Sequence, residues 1–496
     1  MAFVRTVKTK SGATAVQIVW SSAAGSRRIE HLGSAHDVGG VELLQAAGRQ
    51  KIASVQAQLP FDVPQPVALM ALPIVSSSMG RLLDALYGVY ADLGLPEATG
   101  FDKVFADLVV ARLIEPTSKQ DAARVLREAG VRAMSYRTVK RRLPMFARPE
   151  FKAKVSDVLA ADAKIGEASL LLYDVTTLWF ETDTGDGFRE PGFSKERRLE
   201  PQITVGLLAD DKGFPLRVDA FEGNRGETTT MIPLIKAFLA SHPVSGLTVA
   251  ADAGMMSLAN MVAIEQAGWG FIVAGRIPDV PYQASQWMKH HPGEAIPDGL
   301  TLTQPMPHTA GSTKPWTTYY QYRVGRARRT NAGIDQQIAK AVKAVEGKTP
   351  VKRNRFIKLS GATKTVNREL ETKARALAGW KSYVTNLDMP ADQIIDRYHQ
   401  LWHVEHTFRM SKHDLRARPV YHHLRESIDA HLMIVTAALA VASRIETTTG
   451  WTINRLTKTL RRYRTVTINT GTQQVTAEDP LPDDLRDIIS RLPRQH

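Results

Sequence analysis

SLLLYDVTTLWFE, residues 169–181, is an apolar, β-branched run interrupted by one carboxylate, Asp174. Its length and composition read as a buried strand. ITVGLLAD (203–210) and FPLRVDAFEG (214–223) read as two more, joined to each other by the short turn DKG. A helix (TTTMIPLIKAFLA, 228–240), a strand (LTVAAD, 247–252), a second helix (SLANMVAIEQAG, 257–268) and a strand (GFIVAG, 270–275) follow. A three-strand meander followed by α-β-α-β spells a mixed α/β sheet covered by helices. In that order the first and fourth strands are neighbours. Asp174 and Asp252, each on an apolar strand, would then stand side by side.

A third acid lies far downstream in YHQLWHVEHTFRMSK, residues 398–412. Read as one helix, Tyr398, Leu401, Glu405, Phe408 and Lys412 fall within an arc of roughly 80° at 100° per residue. Glu405 therefore sits on an apolar stripe. Each acid has a local explanation: a backbone bond for Asp174, a helix cap for Asp252, an i,i+4 pair with Arg409 for Glu405. All three together are harder to explain locally, because charges on apolar elements need a partner or a cation. Carboxylates without cysteine select hard cations, Mg²⁺ or Mn²⁺, and two such ions clamp an in-line phosphoryl displacement.

The bulk numbers agree with a polyanionic partner. The 496 residues carry a net charge of +14 with a pI near 9.7, the excess expected of a nucleic-acid or membrane-surface binder. The longest apolar run, LMIVTAALAVA (432–442), reads as a buried helix, and MAFVRTVKTKSG has no secretory core, so no membrane association is expected. There is no cysteine, hence no disulfide and no thiolate zinc site. His399 and His403, with His406 and His413 nearby, raise a zinc site, which phosphate contacts explain as well. No Gly-rich stretch has phosphate-loop spacing, so nucleotide hydrolysis is not expected.

Around the sheet the pattern changes. Residues 3–34 read as a basic β-ribbon turning at Ser11-Gly12, with Thr14, Val16, Ile18 and Trp20 on one face and Arg5, Lys8, Lys10, Arg27 and Arg28 supplying charge. A polar, Ala- and Gln-rich linker containing PFDVPQP (60–66) is expected after it, closing a domain of residues 1–75. Residues 76–150 read as helical. Within them SKQDAARVLREAG (118–130), opened by the capping spacing Ser118–Asp121, and SYRTVKRRLP (135–144) suit a helix-turn-helix. Arg137, Lys140, Arg141 and Arg142 are its candidate DNA contacts, and Lys195 and Arg409 are further ones. Residues 276–380 read as a β-rich insertion. Residues 321–380 hold 15 Lys or Arg against 4 Asp or Glu, which predicts a basic surface. Trp316 and Trp380 read as core residues before base-stacking ones. A buried helix near 424–445, a basic helix (454–464) and a loose tail complete the chain, with residues 447–496 set apart from a catalytic domain at 151–446.

The chain resembles the DDE transposases of bacterial insertion sequences, in the group marked by a tyrosine–arginine–glutamate–lysine helix. Tyr398, Leu401, Glu405 and Lys412 occupy the signature positions. YDVTTLWFE, GFSKE (192–196), FEGNRGETTTM (221–231), ADAGM (251–255) and RMSKHDLRARPVYHHLRESIDAHL (409–432) also resemble the family, over roughly residues 100–446. The resemblance implies a ribonuclease-H-like catalytic domain with Asp174, Asp252 and Glu405 as ligands of two metal ions. It implies hydrolysis that frees a 3′-hydroxyl, attack of that hydroxyl on target DNA, and a dimer holding two element ends. Lys412 would hold a DNA phosphate and Tyr398 would support the end. Leu401 departs from the arginine of the signature and leaves hairpin formation open. The gaps of 77 residues between Asp174 and Asp252, and 152 between Asp252 and Glu405, match a family in which an insertion fills the second. The expectation is a DNA transposase acting on terminal inverted repeats in a bacterial cytoplasm. A metal-dependent nuclease without strand transfer and an inactive DNA-binding descendant are the alternatives.

Overall fold

The computed structural model describes residues 2–21, 26–55, 73–192, 199–307, 309–350, 354–360, 363–417, 420, 422–470 and 473–493. The chain divides into two compact units, Met1–Leu72 and Pro73–His496.

The first unit is an antiparallel sheet, β1 (Ala2–Lys8), β2 (Thr14–Ser21) and β3 (Arg27–Ala35), followed by helix α1 (Val38–Val55). The expected ribbon thus gains a helix where linker was expected. Leu43, Leu44, Gln45, Ala46 and Ala47 favour helix, and α1 lies tight on the sheet: a Cβ at Gly48 would come within 2.8 Å of the Val4 and Leu32 side chains. Arg5, Lys8, Lys10, Arg27 and Arg28 are exposed. The linker PFDVPQP lies outside the described residues.

The second unit opens with strand β4 (Ile74–Ser78) and helices α2 (Gly80–Asp92), α3 (Leu95–Ala98), α4 (Lys103–Ile114), α5 (Ala122–Ala129), α6 (Tyr136–Phe146) and α7 (Pro149–Asp162). The meander is β5 (Leu170–Trp179), β6 (Gln202–Ala209) and β7 (Pro215–Glu222). Helix α8 (Met231–Ser241), β8 (Thr248–Ala251), α9 (Leu258–Gln266) and β9 (Gly270–Gly275) follow as expected. Then come α10 (Tyr282–His290), β10 (Thr301–Pro305), β11 (Thr317–Tyr322), α11 (Val324–Val345), β12 (Ile357–Ser360), β13 (Thr363–Val366), α12 (Arg368–Ala376) and β14 (Trp380–Thr385). The chain closes with α13 (Ala391–His399), α14 (Leu401–Arg409), a π-turn (Met410–Asp414), α15 (Arg425–Thr449), α16 (Ile453–Leu460), β15 (Thr465–Asn469), β16 (Gln474–Glu478) and α17 (Asp483–Ser490).

Eight strands form one mixed sheet in the order β10-β11-β14-β9-β8-β5-β6-β7. β5 pairs in parallel with β8, so the first and fourth strands of the meander-first order are neighbours. Alternation along the strands sends Leu171, Tyr173, Val249, Ala251 and Phe271 to one face, against α8, α9 and the N-terminal helices. Leu170, Leu172, Val205, Ala250 and Ile272 face the other side, against α13 and α14. Helix α15 is long and apolar enough to cross a membrane, yet 83% of its most apolar window is buried inside this unit. It is a core helix.

Three expectations need correction. The segment 276–380 holds three helices beside its strands, and β10 and β11 extend the main sheet rather than forming a separate β-rich body. Its basic surface is partly neutralised by ion pairs of Arg323 with Asp298, Lys373 with Asp279 and Arg375 with Asp335. The tail is folded: β15 pairs with β4 and β16, and Leu481, Leu485, Ile489 and Leu492 are buried in the main core. Widely spaced apolar positions in a polar text hid that packing. The helical region, the sheet and the C-terminal elements share this one core, without a break near residue 150 or 446.

Candidate active site

The parallel pairing of β5 with β8 ends at Tyr173 opposite Ala251. Asp174 and Asp252 are the next residues on each strand, in step with one another where the strands begin to part. Tyr173 and Ala251 face one core, so strand alternation turns both acids toward the opposite face, where α13 and α14 lie. A crevice beyond the paired ends of parallel strands is where open α/β sheets bind ligands.

Helix α14 brings the third acid. Leu401, Val404 and Phe408 are buried against that face, and Thr407 Oγ1 donates to the carbonyl of Gly213, 2.7 Å away in the β6–β7 turn. Glu405 projects from the margin of this contact and is exposed, as is Asp252, while Asp174 is half-buried. The expected placement of Glu405 in the apolar stripe is therefore corrected. The helix is also jointed rather than continuous: His403 N–H donates to Gln400 O in an i→i−3 bond, and the π-turn begins at Met410. Local tightening and loosening of the helix shift the angular register that a uniform 100° step assumes. Lys412 lies within the π-turn and is half-buried, and Arg409 is exposed.

Tyr398 links the elements. Its hydroxyl donates to Asp252 Oδ1 at 3.2 Å, and Ala253 N–H donates to the same oxygen at 2.8 Å. Asp174 Oδ1 accepts from Val175 N–H at 2.8 Å. Burial, with the Asp252 charge, pushes the Tyr398 phenol above its usual range, so it stays a donor at any physiological pH. Asp252 does not cap the following helix; Ser257 does, accepting from Asn260 N–H at 3.1 Å.

One basic residue of this site carried no sequence-level flag. Lys381, in β14, lies with its Nζ 4.3 Å from the Tyr398 ring centroid. Burial and the nearby Arg326 lower its ammonium from the usual lysine range, while Asp252 and Glu405 pull it back up. Lys381 thus sits in the field of both acids. Its only sequence signal was a lysine on the apolar strand WKSYVT. Among the described residues no group of three His, Asp or Glu side chains is gathered tightly enough to hold a metal ion as it stands, and the imidazoles of the 399–413 segment form no such group either. The donor chemistry nevertheless fits a hard cation: three oxygen donors on one face, two of them exposed.

The candidate DNA contacts divide. α5 and α6 are two short helices joined by a short connection, with Arg137, Lys140 and Arg141 exposed on α6. Lys140 lies 5.0 Å from the Tyr136 ring centroid. Arg142 is turned inward onto the buried Asp102, with Nε 2.8 Å from Oδ2. α5 starts at Ala122, not Ser118, because Ser118 Oγ caps a separate turn by accepting from Asp121 N–H. Gly130 ends it at φ +93°, where a Cβ would lie 2.3 Å from that of Ser78. Lys195 falls outside the described residues. Trp316 and Trp380 are buried, the former donating to Glu265 Oε2 at 2.6 Å.

Comparison with known proteins gives one family. The model described as Transposase DDE domain matches residues 165–441, a span that contains Asp174, Asp252, Tyr398, Glu405 and Lys412. No curated protein matches. Among solved structures, the cryo-EM structure of a piggyBac transposase synaptic complex with hairpin DNA is similar at 12% identity, over 84% of this chain and 83% of that one, with a TM-score of 0.39.

Proposed function

Because the chain belongs to the Transposase DDE domain family, we propose that it is the transposase of an insertion sequence, cutting at the element's terminal inverted repeats and joining the ends to target DNA. The observation that supports this best is the convergence of Asp174, Asp252 and Glu405 on one face of the sheet, the first two in step on adjacent parallel strands. On this reading the core is ribonuclease-H-like, and the three carboxylates would hold two Mg²⁺ or Mn²⁺ ions. Such ions supply Lewis acidity at the phosphate being exchanged.

The chain's own groups supply position. Tyr398 holds Asp252 in one orientation through its 3.2 Å bond. Lys381 offsets the mutual repulsion of Asp252 and Glu405. Lys412 and Arg409 take DNA phosphates beside the acids, and the exposed Arg137, Lys140 and Arg141 of α6 contact the inverted repeats, with the basic N-terminal sheet as a second contact. Water attacks the phosphorus at the element boundary and the 3′-oxygen departs; that 3′-hydroxyl then attacks a target phosphodiester. One bond is broken for each one made in the joining step, so no nucleotide hydrolysis is required. Two copies acting together on two ends, in the cytoplasm of a bacterium, complete the reading.

The test is a supercoiled plasmid carrying the gene with its native flanks, incubated with Mg²⁺ and either wild type or Glu405→Gln. Breaks at both flanks with wild type alone are expected. Scattered breaks lost in the variant would instead identify a general nuclease. Binding without breaks from either protein would leave only a DNA-binding protein.

A further inference from the structure

A second polar site has none of the three acids in its lining. A cavity of about 670 Å³ is lined by Arg112, Lys119, Tyr136, Arg416, His422 and His431, together with the 116–120 loop. Lys119 and Arg112 are only 6% and 7% exposed. Lys119 Nζ contacts His422 Nε2 and lies 3.3 Å from His431 Nδ1. His431 Nε2 is 3.0 Å from the Ala417 carbonyl, which fixes its proton there and leaves Nδ1 as acceptor. The Arg112 guanidinium donates to the carbonyls of Leu415, Arg416 and Thr117.

What the described lining lacks is a negative charge. Among the described residues, none that lines the cavity is a carboxylate. The carboxylates flanking the loop are engaged elsewhere: Asp121 is held by Arg124 and by Thr117 Oγ1, and Glu115 by Arg124 and Arg461. Two buried basic side chains without a counter-charge are costly unless an anion joins them. The titrations agree: burial, with Arg112 nearby, lowers Lys119 well below the lysine range. Burial, with Lys119 and Arg112, lowers His422 to about 3 and His431 well below its ordinary value.

The backbone adds an independent sign. Arg416, on the cavity wall, has φ +43°, a left-handed conformation rare for a residue with a Cβ. Strained residues of this kind persist where the surroundings hold them, and they cluster at ligand sites. Here the strained residue is part of the cavity lining, and Tyr136 ties the cavity to the N-terminus of α6, the helix carrying Arg137, Lys140 and Arg141.

We propose that this cavity binds a phosphate-sized oxyanion through Lys119 and Arg416, with Arg112 and the hydroxyls of Thr117 and Ser118 completing the cradle. Resting on the transposase reading, that oxyanion is a DNA phosphate entering beside α6. Free inorganic phosphate has the same chemistry, and the experiment separates the two.

Inorganic phosphate is titrated into the full-length protein by calorimetry, with wild type, Arg416→Gly and Lys119→Met. Arg416→Gly is the decisive variant because glycine accepts φ +43° and the fold keeps its melting temperature. Expected are millimolar binding to wild type and binding weakened by about tenfold or more in Arg416→Gly, as loss of one charged hydrogen-bond donor entails. No binding to wild type, or unchanged binding in Arg416→Gly, would overturn the site. Phosphorus NMR with added duplex DNA then identifies the source. Displacement of phosphate by the duplex supports the DNA phosphate, and simultaneous binding of both overturns that assignment. A protein that binds phosphate here but cuts no DNA would retain this site and lose the transposase reading; one that cuts but binds no phosphate would do the reverse.

Discussion

Tyr398 donates its hydroxyl to Asp252 Oδ1 at 3.2 Å, joining the end of α13 to the end of β8. That bond orients an otherwise exposed carboxylate. If Asp252 is a metal ligand, as proposed, removing this outer partner should lower metal affinity or activity by about 10–100-fold. Tyr398→Phe keeps the ring in its edge-to-face contact with Tyr383, centroids 5.1 Å apart, so the fold survives. Strand cleavage should fall within that range and partly recover at raised Mg²⁺. Cleavage at the wild-type rate across Mg²⁺ concentrations would show that the bond is incidental.

Asp252→Asn and Glu405→Gln should separate activity from stability. Both acids are exposed, so neither variant leaves a buried charge unpaired. Melting temperatures should stay equal to wild type or rise slightly, since like charges are relieved. DNA cleavage should fall by about 10³-fold or more, several kcal/mol of lost transition-state stabilisation. A loss of folding equal to the loss of activity would refute a catalytic role.

Arg142 should behave unlike its neighbours on α6. Its partner Asp102 is buried and also caps α4, accepting from Phe105 N–H at 3.0 Å. Arg142→Ala strands that carboxylate, and about 1–2 kcal/mol of stability should be lost, less than a fully buried pair because the arginine is partly exposed. Arg137→Ala and Arg141→Ala should leave stability alone but weaken duplex binding, each lowering the slope of log K against log salt by about 1. Chemical denaturation and fluorescence anisotropy at several salt concentrations would read the contrast.

The sheet was legible because its strands are short, apolar and bounded by turns, so period and length agreed. The neighbouring of Asp174 and Asp252 followed from connection rules alone. The position of Glu405 relative to the core was not legible, because two i→i−3 bonds at Gln400 and one π-turn shift a helix's register without leaving a mark in composition. Lys381 was invisible for a different reason. It acts across a sheet on residues distant in sequence, and a lysine in a strand looks like any edge charge. The fold of the tail was missed because its few apolar residues are buried in the main core, with Ile489 and Leu492 beside α2, an element that local pattern does not connect to it.

Asp210 sets a pH dependence whose sign can be worked out. Its carboxyl is raised to about 6 by burial, despite backbone bonds from Phe214 and Lys212. An unfolded chain titrates near 3.9. Between about pH 4 and 6 the folded protein therefore holds more protons, and stability falls as pH rises through that window. Asp210→Asn keeps acceptors for both backbone donors and removes the titration. Its melting temperature at pH 7 should exceed that of wild type, and the difference should vanish near pH 4. A difference independent of pH would exclude Asp210 as the cause.

Gly213 is the point at which the sheet holds the helix that carries Glu405. It has φ +81°, and a Cβ there would lie 2.8 Å from the backbone carbonyl carbon and oxygen of His403. Its own carbonyl accepts from Thr407 Oγ1 at 2.7 Å. Gly213→Ala therefore forces two adjustments: a left-handed alanine, costing about 1 kcal/mol, and a shift of α14, because a backbone contact cannot rotate aside. The shift moves Glu405 relative to Asp174 and Asp252 while leaving all three acids in place. Cleavage should fall by at least about tenfold, as small displacements of catalytic groups produce, with a stability loss of about 2 kcal/mol or more. Thr407→Val removes only the hydrogen bond from the same contact and should lower stability by about 1 kcal/mol with a smaller effect on cleavage. Equal effects of the two variants on cleavage would mean that the bond, not the close approach of the backbones, fixes α14.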